Sequence, residues 1–168
     1  MARPLGQRLI WRGLGELQSR ARPLLRESFD LDERRYPLFL SRRGEMWRHE
    51  RVVEVAIMTA LLDQAVGKRI LEVGAVLHSY APITHTVVDK YEVSEGVINE
   101  DAEIFEAEPF DLILSISTIE HIGWDEDPRD PGKIPRVIEH LRGLLTPGGS
   151  MTITVPAGYN RDLDDLLA

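Results

Sequence analysis

The residues able to do chemistry in this sequence stand where short apolar runs stop. The run Ile70-Leu71-Glu72-Val73-Gly74 closes on an acid and a glycine, and Val87-Val88-Asp89 closes on an acid fifteen residues after Gly74. A third run, Gly96-Val97-Ile98, ends in Asn99-Glu100-Asp101. A fourth, Phe110 to Ser117, ends in the small hydroxyl residues Ser115 and Ser117, followed by Ile119-Glu120-His121. A glycine at such a point lets the backbone turn sharply and meet a ligand with no Cβ in the way. An acid closing the second strand of a nucleotide-binding fold accepts hydrogen bonds from ribose hydroxyls. An acid or amide after the third strand can meet an adenine amino group. Imidazole is a common general base, and His121 invites that role. The bland reading stays open beside it, in which Glu120-His121 starts a helix and orients a loop. Strand ends meet water, so any one of these acids is weak testimony. Their ordered recurrence points to a site.

The elements that must hold these residues follow from the apolar pattern. Residues 50–66, ERVVEVAIMTALLDQAV, place Val52, Val55, Ala56, Met58, Thr59 and Leu62 on overlapping helical faces, with Gly67 as a natural stop. From Lys68 the texture changes to short aliphatic runs that are apolar on consecutive residues, as parallel strands buried on both faces require. The stretch PGKIPRVIEHLRGLL spaces Ile134, Val137, Ile138, Leu141 and Leu145 as an amphipathic helix. Pro147-Gly148-Gly149 then predicts a tight turn into a last strand, SMTITVP. The order helix, four strands, helix, strand predicts an α/β fold with an open, doubly wound, mostly parallel sheet of about five strands. Ligands of such sheets bind outside the carboxyl ends of the strands, where the residues above lie.

Composition narrows the classes. The 168 residues suit one domain, 43% hydrophobic and 29% charged. Without cysteine there are no disulfides or thiolate metal sites. His49, His78, His85 and His140 show no metal-ligand spacing, so no metal is expected. No apolar run reaches the roughly 18–20 residues of a membrane span, and arginines interrupt any leader-like stretch. A cytoplasmic location is the plain expectation. The net charge of −8 is unevenly spread: residues 1–51 carry twelve arginines against seven acids, and the remainder is strongly acidic. An acidic main domain repels phosphate, so no nucleic-acid partner is expected. Residues 1–50 read as a basic N-terminal helical extension, with Leu5, Leu9, Ile10, Leu14 and Leu17 at helical steps and a second short helix, PLLRESF, after Pro23. Peripheral membrane or acidic-partner contact is one reading of that extension. An extension packed on the domain is the commoner one. The acidic stretch Gly123 to Asp130 reads either as a substrate-facing loop or as a solvated helix start capped by Asp130.

Several of these motifs together resemble class I S-adenosylmethionine-dependent methyltransferases over about residues 52–156. Ile70-Leu71-Glu72-Val73-Gly74 is similar to the family's first motif and Val87-Val88-Asp89 to its second-strand acid. Phe110-Asp111-Leu112-Ile113, with Ser115 and then Glu120-His121-Ile122, resembles the fourth-strand motif. Leu144-Leu145-Thr146-Pro147-Gly148-Gly149 resembles the turn into the fifth strand. The resemblance implies a Rossmann-like methyltransferase domain over residues 51–168 with S-adenosyl-L-methionine as cofactor. It would place Glu72 and Gly74 at the methionine end, Asp89 on the ribose, Asp101 by the adenine, and Ser115 and Ser117 along the methyl-transfer pocket. Two departures stand out. The family continues its first motif with further glycines, where this chain has Ala75-Val76-Leu77-His78-Ser79-Tyr80. The family sheet also has two strands after the fifth, whereas the sequence stops twelve residues after Pro156. The expectation is a sheet lacking its final strands, from a fragment, a minimal variant or a domain completed by a partner, with an exposed edge open to self-association.

The leading expectation is therefore methyl transfer to a small-molecule or glycan-precursor acceptor. The rival is a catalytically silent methyltransferase-like binding or scaffold module, which the missing glycines favour. A nicotinamide-dependent enzyme would also use Asp89, but it fits worse because Gly-x-Gly-x-x-Gly is absent.

Overall fold

A computed structural model describes residues 28–39, 50–80, 82 and 84–168. The predicted leucine stripe of residues 5–17 lies outside them. The described residues fall into two units divided after Ala60.

In the first unit, strands β1 (Ser28–Leu31) and β2 (Arg34–Pro37) form an antiparallel hairpin. Ser28 and Phe29, the last two residues of the predicted short helix PLLRESF, lie in β1, and the rest of that segment falls outside the described residues. Asp32 and Glu33 both take positive φ, 49° and 61°, the two-residue turn whose twist matches paired strands. Phe29 faces Tyr36 across the ladder, their rings stacked at 5.3 Å, and cross-strand aromatic pairs of this kind stabilise a hairpin. Helix α1 (Arg51–Gln64) forms as its apolar spacing predicts, burying Val52, Val55, Ala56 and Met58. Gly67, at φ 81°, follows its end.

The second unit holds a five-stranded parallel sheet of β3 (Ile70–Val73), β4 (Thr86–Val88), β5 (Val97–Ile98), β6 (Phe110–Ile116) and β7 (Leu145–Thr154). Its order is β5-β4-β3-β6-β7, every pair parallel. The sheet grows outward both ways from the β3–β6 pair, which makes that pair the switch point of an open α/β fold. Buried runs explain the strands: Leu71, Ile113, Leu114 and Ile116 have no solvent exposure. Helix α2 (Lys133–Gly143) crosses from β6 to β7 and buries Ile134, Val137 and Leu141 in a core with Val73, Val88, Phe110 and Ile113. Each such side chain contributes about 1.5–3 kcal/mol of burial. A final helix, α3 (Arg161–Leu167), is capped by Asn160, whose side chain accepts from the Asp162 and Leu163 N–H groups.

Two local expectations change. Pro147-Gly148-Gly149 does not precede the last strand but interrupts it: pairing jumps from Phe110–Leu145 to Leu112–Ser150, so residues between them loop out as a bulge. Asp130 does not cap α2, whose N-cap is Gly132 with no side-chain cap. Its carboxylate instead accepts from the Gly132 N–H at 3.0 Å and from Arg136 at 2.6 Å. Among the described residues β7 has no strand on its outer side, and no helix is long and apolar enough to cross a membrane.

Candidate ligand-binding site at the strand ends

The register fixes where the strand ends meet. Val73 pairs with Val88 on one side and Ser115 on the other, so the residues that follow each strand converge at one sheet edge. There a cavity of about 460 Å³ opens, lined among others by Gly74, Asp89, Asp101 and His121. That volume falls in the range of small-molecule pockets.

Gly74 turns away from β3 at φ +91° while its N–H donates to the Val88 carbonyl at 2.9 Å. A Cβ here would overlap the Thr118 side chain. The glycine therefore lets the β6 end close against the β3 end. The loop beyond it contains no further glycine, and Glu72 shows how it is held. This carboxylate is fully buried. One oxygen accepts from the Val76 N–H at 2.9 Å and the Leu77 N–H at 2.8 Å, and the other lies 2.8 Å from His85 Nε2. The three-residue 3₁₀ turn Leu77–Ser79 follows directly. Glu72 is thus spent on the loop and does not line the cavity.

Asp89 does line it. Its Oδ2 accepts from the Ala75 N–H at 2.9 Å, and its Oδ1 from the Tyr91 and Glu92 N–H groups, both at 2.8 Å. A carboxylate offers about four acceptor positions, so roughly one remains for a ligand. Asn99 locks the same turn by donating to the Asp89, Lys90 and Glu92 carbonyls.

Asp101 joins a cluster that sequence reading missed. Its Oδ2 lies 2.6 Å from Lys133 Nζ and 3.0 Å from Lys90 Nζ, and both lysines also reach Glu126, at 2.9 and 3.1 Å. Burial pushes the Asp101 carboxyl upward, but the Lys133 bond, the Glu103 N–H and the Lys90 bond overcome it and hold the group at about 2. Glu126 is likewise raised by burial and lowered further by the two lysines, ending below the usual range. For Lys90, burial acts downward and the bonds to Asp101 and Glu126 win, so it stays charged. Lys133 is buried. Nothing in an amphipathic-helix pattern marks a lysine at the first turn as an inward residue.

The serines do not line the pocket. Ser115 is fully buried and donates to the Val73 carbonyl at 2.9 Å, bridging β6 to β3. Ser117 takes φ +40° and its N–H donates to the Thr154 carbonyl, extending the β7 contact past the strand end. Neither is among the residues that line the cavity. Thr118, one residue on, occupies the wall instead.

His121 lies in the 3₁₀ turn Ile119–His121 at the cavity wall. Its Nδ1 is 2.5 Å from Asp125 Oδ2, and Tyr159 donates to that same oxygen at 2.7 Å. The His121 bond, then the Tyr159 bond, hold the Asp125 carboxyl below its ordinary range, and Asp125 in turn raises the Tyr159 hydroxyl. The four-residue spacing of His121 and Asp125 was the signal available in sequence. Of the acidic stretch, Asp125 and Glu126 face the cavity, while Asp130 ties the start of α2. Among the described residues no group of three or more histidines and acids is placed to hold a metal ion.

No protein-family model matches the chain, and no curated protein matches it in sequence. Among solved structures it is similar to the N-methyltransferase NodS from Bradyrhizobium japonicum WM9, solved in complex with S-adenosyl-L-homocysteine, at 23% identity and a TM-score of 0.42. That match covers 56% of this chain and 58% of the other.

Proposed function

We propose that this chain binds S-adenosyl-L-methionine in the cavity at its strand ends and supports methyl transfer to a small-molecule acceptor, glycan precursors included. The observation that carries the reading is the cavity itself: about 460 Å³ at the switch point, with Gly74, Asp89 and Asp101 supplied in order by three successive strand ends. When bound, the cofactor supplies an electrophilic methyl group on a sulfonium, so the protein's task is largely alignment.

The lining suits that group. Asp89, Glu92, Glu100, Asp101, Asp125 and Glu126 face the cavity against Lys90. Such a surface favours a ligand carrying a sulfonium and an ammonium, and opposes the pyrophosphate of a nicotinamide dinucleotide. Asp89 would hold the ribose through its remaining acceptor position. Asp101, fixed by Lys90 and Lys133, would present its carboxylate towards the adenine.

One observation favours the silent-module alternative. The Val76 and Leu77 N–H groups, donors that a ligand carboxylate could use, are already bonded to Glu72. The two readings separate in one experiment. Calorimetry and thermal shift with S-adenosylmethionine, S-adenosylhomocysteine and NAD should show stabilisation by the sulfur ligands alone. At a hundredfold excess over Kd the gain is about 2.7 kcal/mol. Asp89→Asn, checked for fold by circular dichroism, should weaken binding about tenfold. No response to either sulfur ligand at millimolar concentration sinks the cofactor assignment. Cofactor binding without turnover on any acceptor leaves the silent module.

A further inference from the structure

We propose that His121 and Asp125 on the cavity wall form a proton-accepting triad with Tyr159, with His121 Nε2 as the base for an acceptor that reacts through a protic oxygen or nitrogen. The inference rests on the methyl-transfer reading for its purpose, while its geometry stands by itself.

The tautomer follows from the partners. Asp125 stays ionised, because its carboxyl is held below the usual range by His121 and Tyr159, and an ionised carboxylate only accepts. The Nδ1 atom 2.5 Å away must therefore be the donor. In a neutral imidazole with Nδ1–H, the lone pair lies on Nε2. Tyr159 donates to the same Asp125 oxygen at 2.7 Å, and its ring meets the imidazole edge-on at 4.8 Å between centroids. The tyrosine is itself placed by the adjoining Asn160, a buried residue that donates to the Glu120 carbonyl at 2.8 Å while capping α3. A base oriented by a carboxylate, which is oriented by a third group, is the arrangement that general-base chemistry uses.

The accepted proton also has a favourable destination. Nε2 lies 3.7 Å from the buried Glu120 carboxylate. Once protonated, the imidazolium stands between Glu120 on one side and Asp125 on the other. In the transfer, the acceptor's heteroatom forms a bond to the methyl carbon as the carbon–sulfur bond breaks, and the electron pair of that bond stays on sulfur. The proton leaves the heteroatom for Nε2, so charge and atoms balance. A hydroxyl or an ammonium-derived amine needs this service, whereas a tertiary amine or thioether does not.

The test reads the imidazole directly in the full-length protein. Long-range proton–nitrogen correlation with ¹⁵N-histidine should show His121 as the Nδ1–H tautomer. Asp125→Asn offers an amide that can donate to Nδ1, and should move the population to Nε2–H. Carbethoxylation of His121 by diethyl pyrocarbonate, followed residue by residue by mass spectrometry, should then slow, because Nε2 no longer carries the attacking lone pair. Tyr159→Phe keeps the ring contact and should retain the Nδ1–H tautomer. A wild-type Nε2–H tautomer, or an Asp125→Asn variant with unchanged tautomer and unchanged reactivity, overturns the triad. Calorimetry with S-adenosylhomocysteine on the same samples tests the methyl-transfer reading separately, because the tautomer needs no cofactor.

Discussion

The two walls of the cavity use carboxylates in opposite ways. Asp89 on the β3–β4 wall, and Glu72 just outside the lining, are met chiefly by backbone: five N–H bonds, joined by the His85 side chain. On the β6 wall, Asp125 and Glu126, joined through the lysines to Asp101 from the β5 end, are met mainly by lysines, a histidine and a tyrosine. Backbone donors fix a loop's path and cannot be moved without refolding it. Side-chain donors can titrate, rotate and exchange with a ligand. The first wall is therefore scaffold, and the second is where chemistry can be tuned. Substitutions on the two walls should differ accordingly.

The largest effect is expected at Glu72. Its removal in Glu72→Ala strips the Val76 and Leu77 N–H groups of their acceptor and leaves His85 facing a void. Breaking a buried charged group's bonds of this kind costs about 3–5 kcal/mol, read as a fall in the urea midpoint with unchanged slope. Should Glu72→Ala cost less than about 1 kcal/mol, the loop is not held by the backbone-to-carboxylate bonds and the contrast between walls fails. Gly74→Ala comes next. A Cβ would meet the Thr118 side chain, and φ +91° is itself unfavourable for alanine. A loss of roughly 2–3 kcal/mol is expected, and Thr118→Ala in the same chain should restore part of it by removing the overlapping hydroxyl and methyl groups.

These two residues also mark what the sequence made legible. Consecutive apolar residues ending in Glu-Val-Gly and Val-Val-Asp announce buried parallel strands, and the observed sheet follows them strand for strand. The positions of Gly74, Asp89, Asp101 and His121 at one cavity were readable, because strand ends in a parallel sheet converge whatever their side chains do. Partners were not readable. Glu72 has the same letter whether it meets a ligand or the N–H groups four and five residues on. Ser115 looks like a pocket hydroxyl until the register sets it against the Val73 carbonyl. The hairpin at residues 28–37 was not read, although Asp32-Glu33 between two aromatics is compatible with a tight turn. Lys133 was lost because its partners come from segments seven and 32 residues away.

A moderate, pH-dependent effect is expected at Asp101. Its folded value of about 2 lies below the unfolded value near 3.9. Its contribution is therefore present in full above about pH 4 and is lost as pH falls towards 2. Because the group is partly exposed and solvent screens the pair, that contribution is on the order of 1 kcal/mol or less. Asp101→Asn should be less stable than the wild type at pH 7, and the gap should close between pH 4 and 2. A gap that stays constant across that window would assign the loss to packing instead of to the lysine pairs.

The smallest effect is expected at Tyr159, which makes it the sharpest probe of the comparison. Its hydroxyl donates to Asp125, yet the Asp125 side chain is 46% exposed and the tyrosine 43%. In Tyr159→Phe the carboxylate loses one donor but remains bonded to His121 and open to water, so no buried group is orphaned. An exposed hydrogen bond of this kind is worth about 0.5–1 kcal/mol at most, several times less than the Glu72 bonds. The electrostatic signature should be plainer than the stability change: with one of its two stabilising bonds gone, the Asp125 carboxyl titrates closer to its ordinary range, visible by side-chain carbon NMR. A Tyr159→Phe protein destabilised as strongly as Glu72→Ala would mean that the β6 wall is as much scaffold as the β3 wall. A marginal stability loss with a rise in the Asp125 titration would keep the division, with a rigid floor under one half of the cavity and a titratable wall on the other.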